Sequence, residues 1–202
     1  MSDYRVVGDV SGLPDYGFGS RSLMWWGVLG FMLIEGAAFL LACAAYVFLI
    51  GHNQPWGAGH LPPVLLWGTA FTVLLLLSDL PNVWTDKQAH ALDEKKTRIG
   101  LIIMSVAGVV LLVVRGFELA HLNARWDQDA YGSVVWALML LHTLHLITDL
   151  ADTVLLAIFT HTHEMDGGTF SDVSDNCMYW HFVVLTWLPI YALVYWAPRI
   201  LG

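Results

Sequence analysis

The chain has 202 residues, 57% of them hydrophobic and only 13% charged, with a formal net charge of −8. Its apolar runs are too long for the helices of a small soluble domain, which excludes an ordinary water-soluble fold. The acidic balance, with no basic stripe or aromatic-basic interleaving, gives no reason to expect nucleic acid as a partner. Cys43 and Cys177 belong to different spans with no CxxC between them, so packing thiols are expected and not a disulfide framework.

Residues 1–22, "MSDYRVVGDVSGLPDYGFGSRS", are polar and dotted with acids. They lack a basic region followed by a small-residue cleavage site, so they are expected to form a cytoplasmic N-terminal segment and not a removable signal. Residues 23–202 read as one all-α membrane domain, a polytopic bundle of five transmembrane helices without repeats. The predicted spans are 23–50, 62–84, 99–122, 132–160 and 177–198. Each is near the roughly 20 residues that a hydrocarbon core of about 30 Å requires, and the fourth is long enough to tilt or protrude.

Within the first span, "GFMLIEGAAFLLACAAYVFLI" lines Ala38, Ala42 and Ala45 along one face, the small-residue spacing that lets transmembrane helices approach closely. The breakers of "GHNQPWGAGHLPP" lead to the second span. Next, the connection "TDKQAHALDEKKTR" carries Lys87, Lys95, Lys96 and Arg98. Cytoplasmic loops near span ends hold the excess of Lys and Arg, so this connection is expected inside. By alternation the N-terminus with Arg5 and Arg21 is inside, the C-terminus outside, and the acidic "HTHEMDGGTFSDVSD" inside. Trp25, Trp26, Trp56, Trp84, Trp126 and Trp196 fall near span ends, where amphipathic rings favour the interface.

An ionisable side chain at mid-bilayer costs roughly 2.5–3.5 kcal/mol on insertion scales, so such groups face protein or water and find partners. This chain places Glu35, Asp79, Arg115, Glu118, His121, His142, His145, Asp149, Asp152 and His181 in or at its spans. On the third span Glu118 and His121 share a face at i, i+3, and Arg115 lies one turn earlier, able to pair with Glu118. His181 opens the fifth. The fourth carries "LHTLHLITDLAD", residues 141–152, with His142, His145, Asp149 and Asp152 at spacings of 3, 4 and 3. At about 100° per residue these four fall within an arc of roughly 80°.

Three readings fit that stripe. One is an interhelical hydrogen-bond network in which the Asp and His side chains meet Glu118, His121 and His181. Another is a proton-linked role, since buried carboxylates and imidazoles often titrate near neutrality. The third is metal or haem ligation, because bundle di-metal sites use Glu-x-x-His at similar spacing; here the acids follow the histidines and no second matching helix exists. "HTHEMD", with His161, His163, Glu164 and Asp166, reads as a solvated acidic loop before it reads as a metal site. "GAGH" lacks the strand and Lys-Ser/Thr of a phosphate loop, and neither a nucleophile elbow nor HExxH occurs.

Taken in order, these segments resemble subunit III of the haem-copper terminal oxidases, the cytochrome c oxidase subunit 3 family, in a short five-helix form. Glu35 falls where the family carries a membrane-embedded glutamate. "VVRGFELAHL" is similar to the family's Gln-x-x-Glu-Tyr/Trp-x-His stretch at Glu118 and His121. "YGSVVWALMLLHTLHLITD" resembles Tyr-Gly-Ser followed by Phe-His-Gly-x-His-Val, and "MYWHFVVLTWLPIY" resembles Trp-Tyr-Trp-His-Phe-Val-Asp-x-x-Trp. The chain departs from the family at Thr143 for the glycine between the histidines, Asp149 for a usual glycine, Val184 for the aspartate and Arg115 for the glutamine. The acid lost at 184 and gained at 149 suggests a relocated partner for the histidines.

The resemblance implies a subunit without haem, copper or catalytic residues. Such a subunit packs on oxidase subunits I and II, which hold the haem and copper, binds phospholipid and supports proton uptake during oxygen reduction. In a bacterial inner membrane its N-terminus is cytoplasmic and its C-terminus periplasmic. Glu35 is the expected lipid- or proton-linked carboxylate. Glu118, His121, His142, His145, Asp149, Asp152 and His181 are the expected intramembrane polar network, with no metal ligand among them. The alternatives are an accessory subunit of a nitric oxide reductase and an autonomous haem- or metal-binding redox protein.

Overall fold

The computed structural model describes residues 22–52 and 62–201. Arg5, Arg21, Trp56 and the N-terminal segment up to residue 21 lie outside the described residues. The five long helices are α1 (Leu23–His52), α2 (Leu65–His90), α3 (Glu94–Ala120), α4 (Ala130–Thr162) and α5 (Gly167–Tyr191). A π-helical turn, Ala192–Trp196, and a short α6 (Ala197–Leu201) continue α5. Among the described residues five helical segments are long and apolar enough to cross a membrane, so the protein is a multi-pass membrane protein.

α2 packs on α3 and α5, and α4 packs on both α3 and α5, which closes a ring of four helices. α1 leans against the ring from outside, touching α4 and α5. Its apolar residues run all round, and Leu33, Ile34, Leu40, Leu41 and Val47 are exposed, as suits a helix with one face on lipid. The seam of α1 is not the alanine stripe. Ala38 and Ala45 are exposed and Ala42 is half-buried, while Phe39 and Tyr46 are buried. The two rings, seven residues apart, fill the groove of the ring of helices, so backbone-to-backbone approach is not required there.

Close approach occurs instead between α2 and α3, where a Cβ on Gly100 would collide with the Thr85 side chain. At the start of α4, a Cβ on Gly132 would run into the backbone carbonyl of Arg125.

The helices outrun the predicted spans. α2 continues to His90 and α3 begins at Glu94, so most of "TDKQAHALDEKKTR" is helical. α5 begins at Gly167, ten residues before the predicted 177. Hydropathy marks only the hydrocarbon slab, whereas a helix satisfies its own backbone and continues into the interface. Its ends are set by caps. The Asp93 side chain accepts from the Lys96 amide at 3.1 Å, Asp129 from Gly132 at 2.7 Å and Asp166 from Thr169 at 2.8 Å. Because α5 starts early, His181 sits in mid-helix and does not open the span. Arg98, paired with Glu94, also donates to the His163 carbonyl at 3.1 Å, so the α2–α3 and α4–α5 turns lie at one end of the bundle.

Candidate functional site

The polar residues of the interior form separate clusters. In the first, Arg115 of α3 is fully enclosed; its Nη1 donates to Glu118 Oε2 at 2.7 Å and its Nη2 to His142 Nδ1 at 3.0 Å. The guanidinium lies between two aromatic faces, 3.6 Å from the Phe71 centroid and 4.1 Å from that of Trp187, which adds cation–π attraction. His142 Nε2 donates to the Val183 carbonyl of α5 at 3.0 Å. A carbonyl only accepts, so the proton resides on Nε2, and Nδ1 is the lone pair that receives Arg115. The second Glu118 oxygen accepts from the Tyr195 hydroxyl at 2.5 Å. The π-helical turn buries Val194 and Tyr195 together, and Gly68 of α2 leaves room for the Tyr195 ring. Arginine keeps its charge when buried, so this is a neutralised ion pair that fixes α3, α4 and α5 to one another.

In the second cluster, Glu35 joins α1 to the ring. His145 Nε2 lies 3.0 Å from Glu35 Oε1, and the Tyr179 hydroxyl donates to Glu35 Oε2 at 2.6 Å. His145 Nδ1 donates to the Leu141 carbonyl at 2.6 Å. That bond holds one ring proton, and one further proton can lie between Nε2 and the carboxyl. The pair is therefore either carboxylic acid with neutral imidazole or carboxylate with imidazolium, and both have zero net charge.

In the third, Asn176 Nδ2 donates to Asp149 Oδ1 at 3.2 Å and to Asp152 Oδ2 at 3.1 Å, while its Oδ1 accepts from Thr153 at 3.2 Å. Asp149 is buried and its Oδ2 has no hydrogen-bond partner among the described residues. Asp149, Asp152 and Asn176 line a cavity of about 320 Å³ between α1, α4 and α5, together with Asp172, Asp175 and Tyr179. Asp149 is thus not the relocated partner of the histidines. His142 is met by Arg115 and His145 by Glu35, and the Asp149 carboxyl reaches Asn176 instead.

Two expected network members stand apart. His121 is exposed at the end of α3, where its Nδ1 donates to the Phe117 carbonyl of its own helix at 2.8 Å and its ring lies 5.6 Å from that of Trp67. His181 lies 2.6 Å from Asp79 on the α2–α5 surface. In "HTHEMD", Asp166 caps α5. No group of three or more His, Cys, Asp or Glu side chains placed to hold a metal occurs among the described residues.

The family model for cytochrome c oxidase subunit III matches residues 23–198, which include all three clusters. The chain belongs to that family. Cytochrome c oxidase subunit 3 of Pylaiella littoralis is 24% identical over 161 residues, 79% of this chain and 58% of that protein. The Yarrowia lipolytica protein is 25% identical over 166 residues, 82% of this chain and 62% of its own length. That of Synechocystis sp. is 24% identical over 186 residues, 88% of this chain and 77% of the relative. The chain therefore spans about three fifths of the first two subunit III relatives.

Several residues that complete this subunit III interior carry no formal charge. Tyr179, Tyr195, Asn176, Phe71 and Trp187 sit within apolar helices, and hydropathy passes over them. The available signal was aromatic hydroxyls and an amide spaced along the fifth span, facing acids on the others.

Proposed function

We propose that this subunit III family member is a cofactor-free integral subunit of a respiratory haem-copper oxidase. It packs on the catalytic subunit, binds phospholipid and supports proton uptake while oxygen is reduced. The observation that carries this reading is the family match over residues 23–198, which implies a complex with other oxidase subunits. The histidine geometry supports the cofactor-free part. Both ring nitrogens of His142 and both of His145 are engaged by protein groups, which leaves neither ring a free lone pair for iron or copper. The haem and copper then belong to subunit I and subunit II partners in a bacterial inner membrane, with the N-terminus of this chain cytoplasmic and its C-terminus periplasmic.

Glu35 is the proton-linked group in this reading, because a single proton separates its two charge distributions with His145. Purification from the native membrane in mild detergent is expected to bring a haem-bearing subunit with the chain. Recovery of a partnerless chain, or a Soret band from the isolated subunit, overturns the proposal. In the assembled enzyme, Glu35→Gln is expected to shorten the period of sustained turnover; unchanged turnover and proton uptake reduce Glu35 to a packing residue.

A further inference from the structure

Five acidic or imidazole side chains lie within about 5 Å of mid-helix along the axis, at 1.5 Å per residue: Glu35, Asp79, His145, Asp149 and His181. Three are turned inward. The Glu35 and His145 side chains are 13% and 10% exposed, and Asp149 is 1% exposed. Asp79 and His181 instead keep 29% and 41% of their side-chain surface. His181 Nδ1 lies 2.6 Å from Asp79 Oδ1, the oxygen that also accepts from Asn82 Nδ2 at 3.3 Å. His181 Nε2 has no hydrogen-bond partner among the described residues. Leu76, three residues before Asp79, and Leu185 and Leu188, four and seven after His181, are exposed on the same face. The result is an apolar surface with one unmet polar point at the depth where hydrocarbon supplies nothing to meet it.

We infer that the α2–α5 face centred on Asp79 and His181 docks a transmembrane helix of a protein partner that brings a hydrogen-bonding side chain to His181 Nε2. The unmet nitrogen fixes the chemistry. With Nδ1 turned to Asp79, Nε2 faces outward as a lone pair or as an N–H, and either form needs a hydrogen-bonding partner that hydrocarbon does not supply. A polar side chain on a neighbouring helix completes it, whereas a wholly apolar helix leaves it unmet and lipid headgroups lie at another depth. Naming the partner as the oxidase catalytic subunit rests on the function proposed above.

The test is a photo-crosslinking amino acid, p-benzoylphenylalanine, placed at Leu185 of the full chain in its native membrane, with Leu33 on the outer side of α1 as the control. A crosslink from Leu185 to the haem-bearing subunit, at least ten times the yield from Leu33, is the expected result. Adducts with lipid alone, a crosslink to a second copy of this chain, or equal yields at the two positions overturn the inference. In parallel, Asp79→Leu with His181→Leu is expected to leave the chain in the membrane and lower co-purified haem at least ten-fold; undiminished haem overturns the inference. If the double variant misfolds, the crosslink from Leu185, made with the polar pair intact, decides alone. A crosslink to the haem subunit from Leu33 and not Leu185 removes this face and leaves the functional reading standing. A complex without haem removes the functional reading, and a crosslink from Leu185 to an identified membrane subunit then retains the face.

Discussion

Replacing Arg115 with glutamine, the residue that the family resemblance puts there, would remove the cation from a carboxylate that has no access to water. Breaking a buried ion pair by deleting one partner costs about 3–5 kcal/mol. Arg115→Gln should lose stability on that scale in detergent denaturation, and Arg115→Gln with Glu118→Gln should recover most of it. Asp149→Asn should cost nothing measurable in the same assay, because Oδ2 of Asp149 has no partner to lose among the described residues and Oδ1 can still accept from Asn176. The pairing of Arg115 with Glu118 was legible from their spacing of three residues. The division of the fourth-helix stripe was not, since an arc of roughly 80° still faces two neighbours. His142 looks toward α3 and α5, His145 toward α1. Which acid meets which imidazole depends on helix rotation, and hydropathy carries no information on that.

The turns set where helices begin, and the carboxylates that cap α3 and α5 answer to proton concentration. The Lys96 ammonium and then the Lys96 amide hold the Asp93 carboxyl, and the Thr169 amide and hydroxyl hold that of Asp166, below the usual aspartate value of 3.8. A carboxyl whose folded value is depressed contributes stability above its unfolded value, and that contribution is lost as pH falls through the folded one. Protection of the Lys96 and Thr169 amides, taken relative to the intrinsic exchange rate at each pH, should therefore be full above pH 3.8 and be lost as pH falls below it. At the same turn, exposed Leu92 adopts φ 55°, a left-handed conformation that costs a residue with a Cβ about 1–2 kcal/mol. Leu92→Gly should raise stability by about 1 kcal/mol, less the extra chain entropy of glycine. These ends were readable in principle, for an aspartate immediately precedes the starts of α3, α4 and α5. Hydropathy alone placed the fifth span late because "DGGTFSDVSD" is polar yet helical.

At the scale of the whole molecule, a ring of four helices carries a fifth that it scarcely encloses. Lipid offers no hydrophobic drive for helix association, so packing and interhelical hydrogen bonds must hold α1. Among these are the bonds from Glu35 to His145 and Tyr179, beside the rings of Phe39 and Tyr46. Glu35→Leu with Tyr179→Phe should speed hydrogen exchange and proteolysis across α1 while leaving α2 to α5 as protected as before; equal loosening of all five helices would show that α1 belongs to the ring. The number of crossings was legible from the apolar runs. The peripheral station of α1 was not, because its alanine stripe suggested a tight seam and its lipid side is as greasy as its protein side. The arrangement ties mechanics to ionisation. Prying α1 off the bundle would strand either an acid or two opposite ions in oil, so the undocking of a helix and the whereabouts of one hydrogen nucleus form a single coordinate.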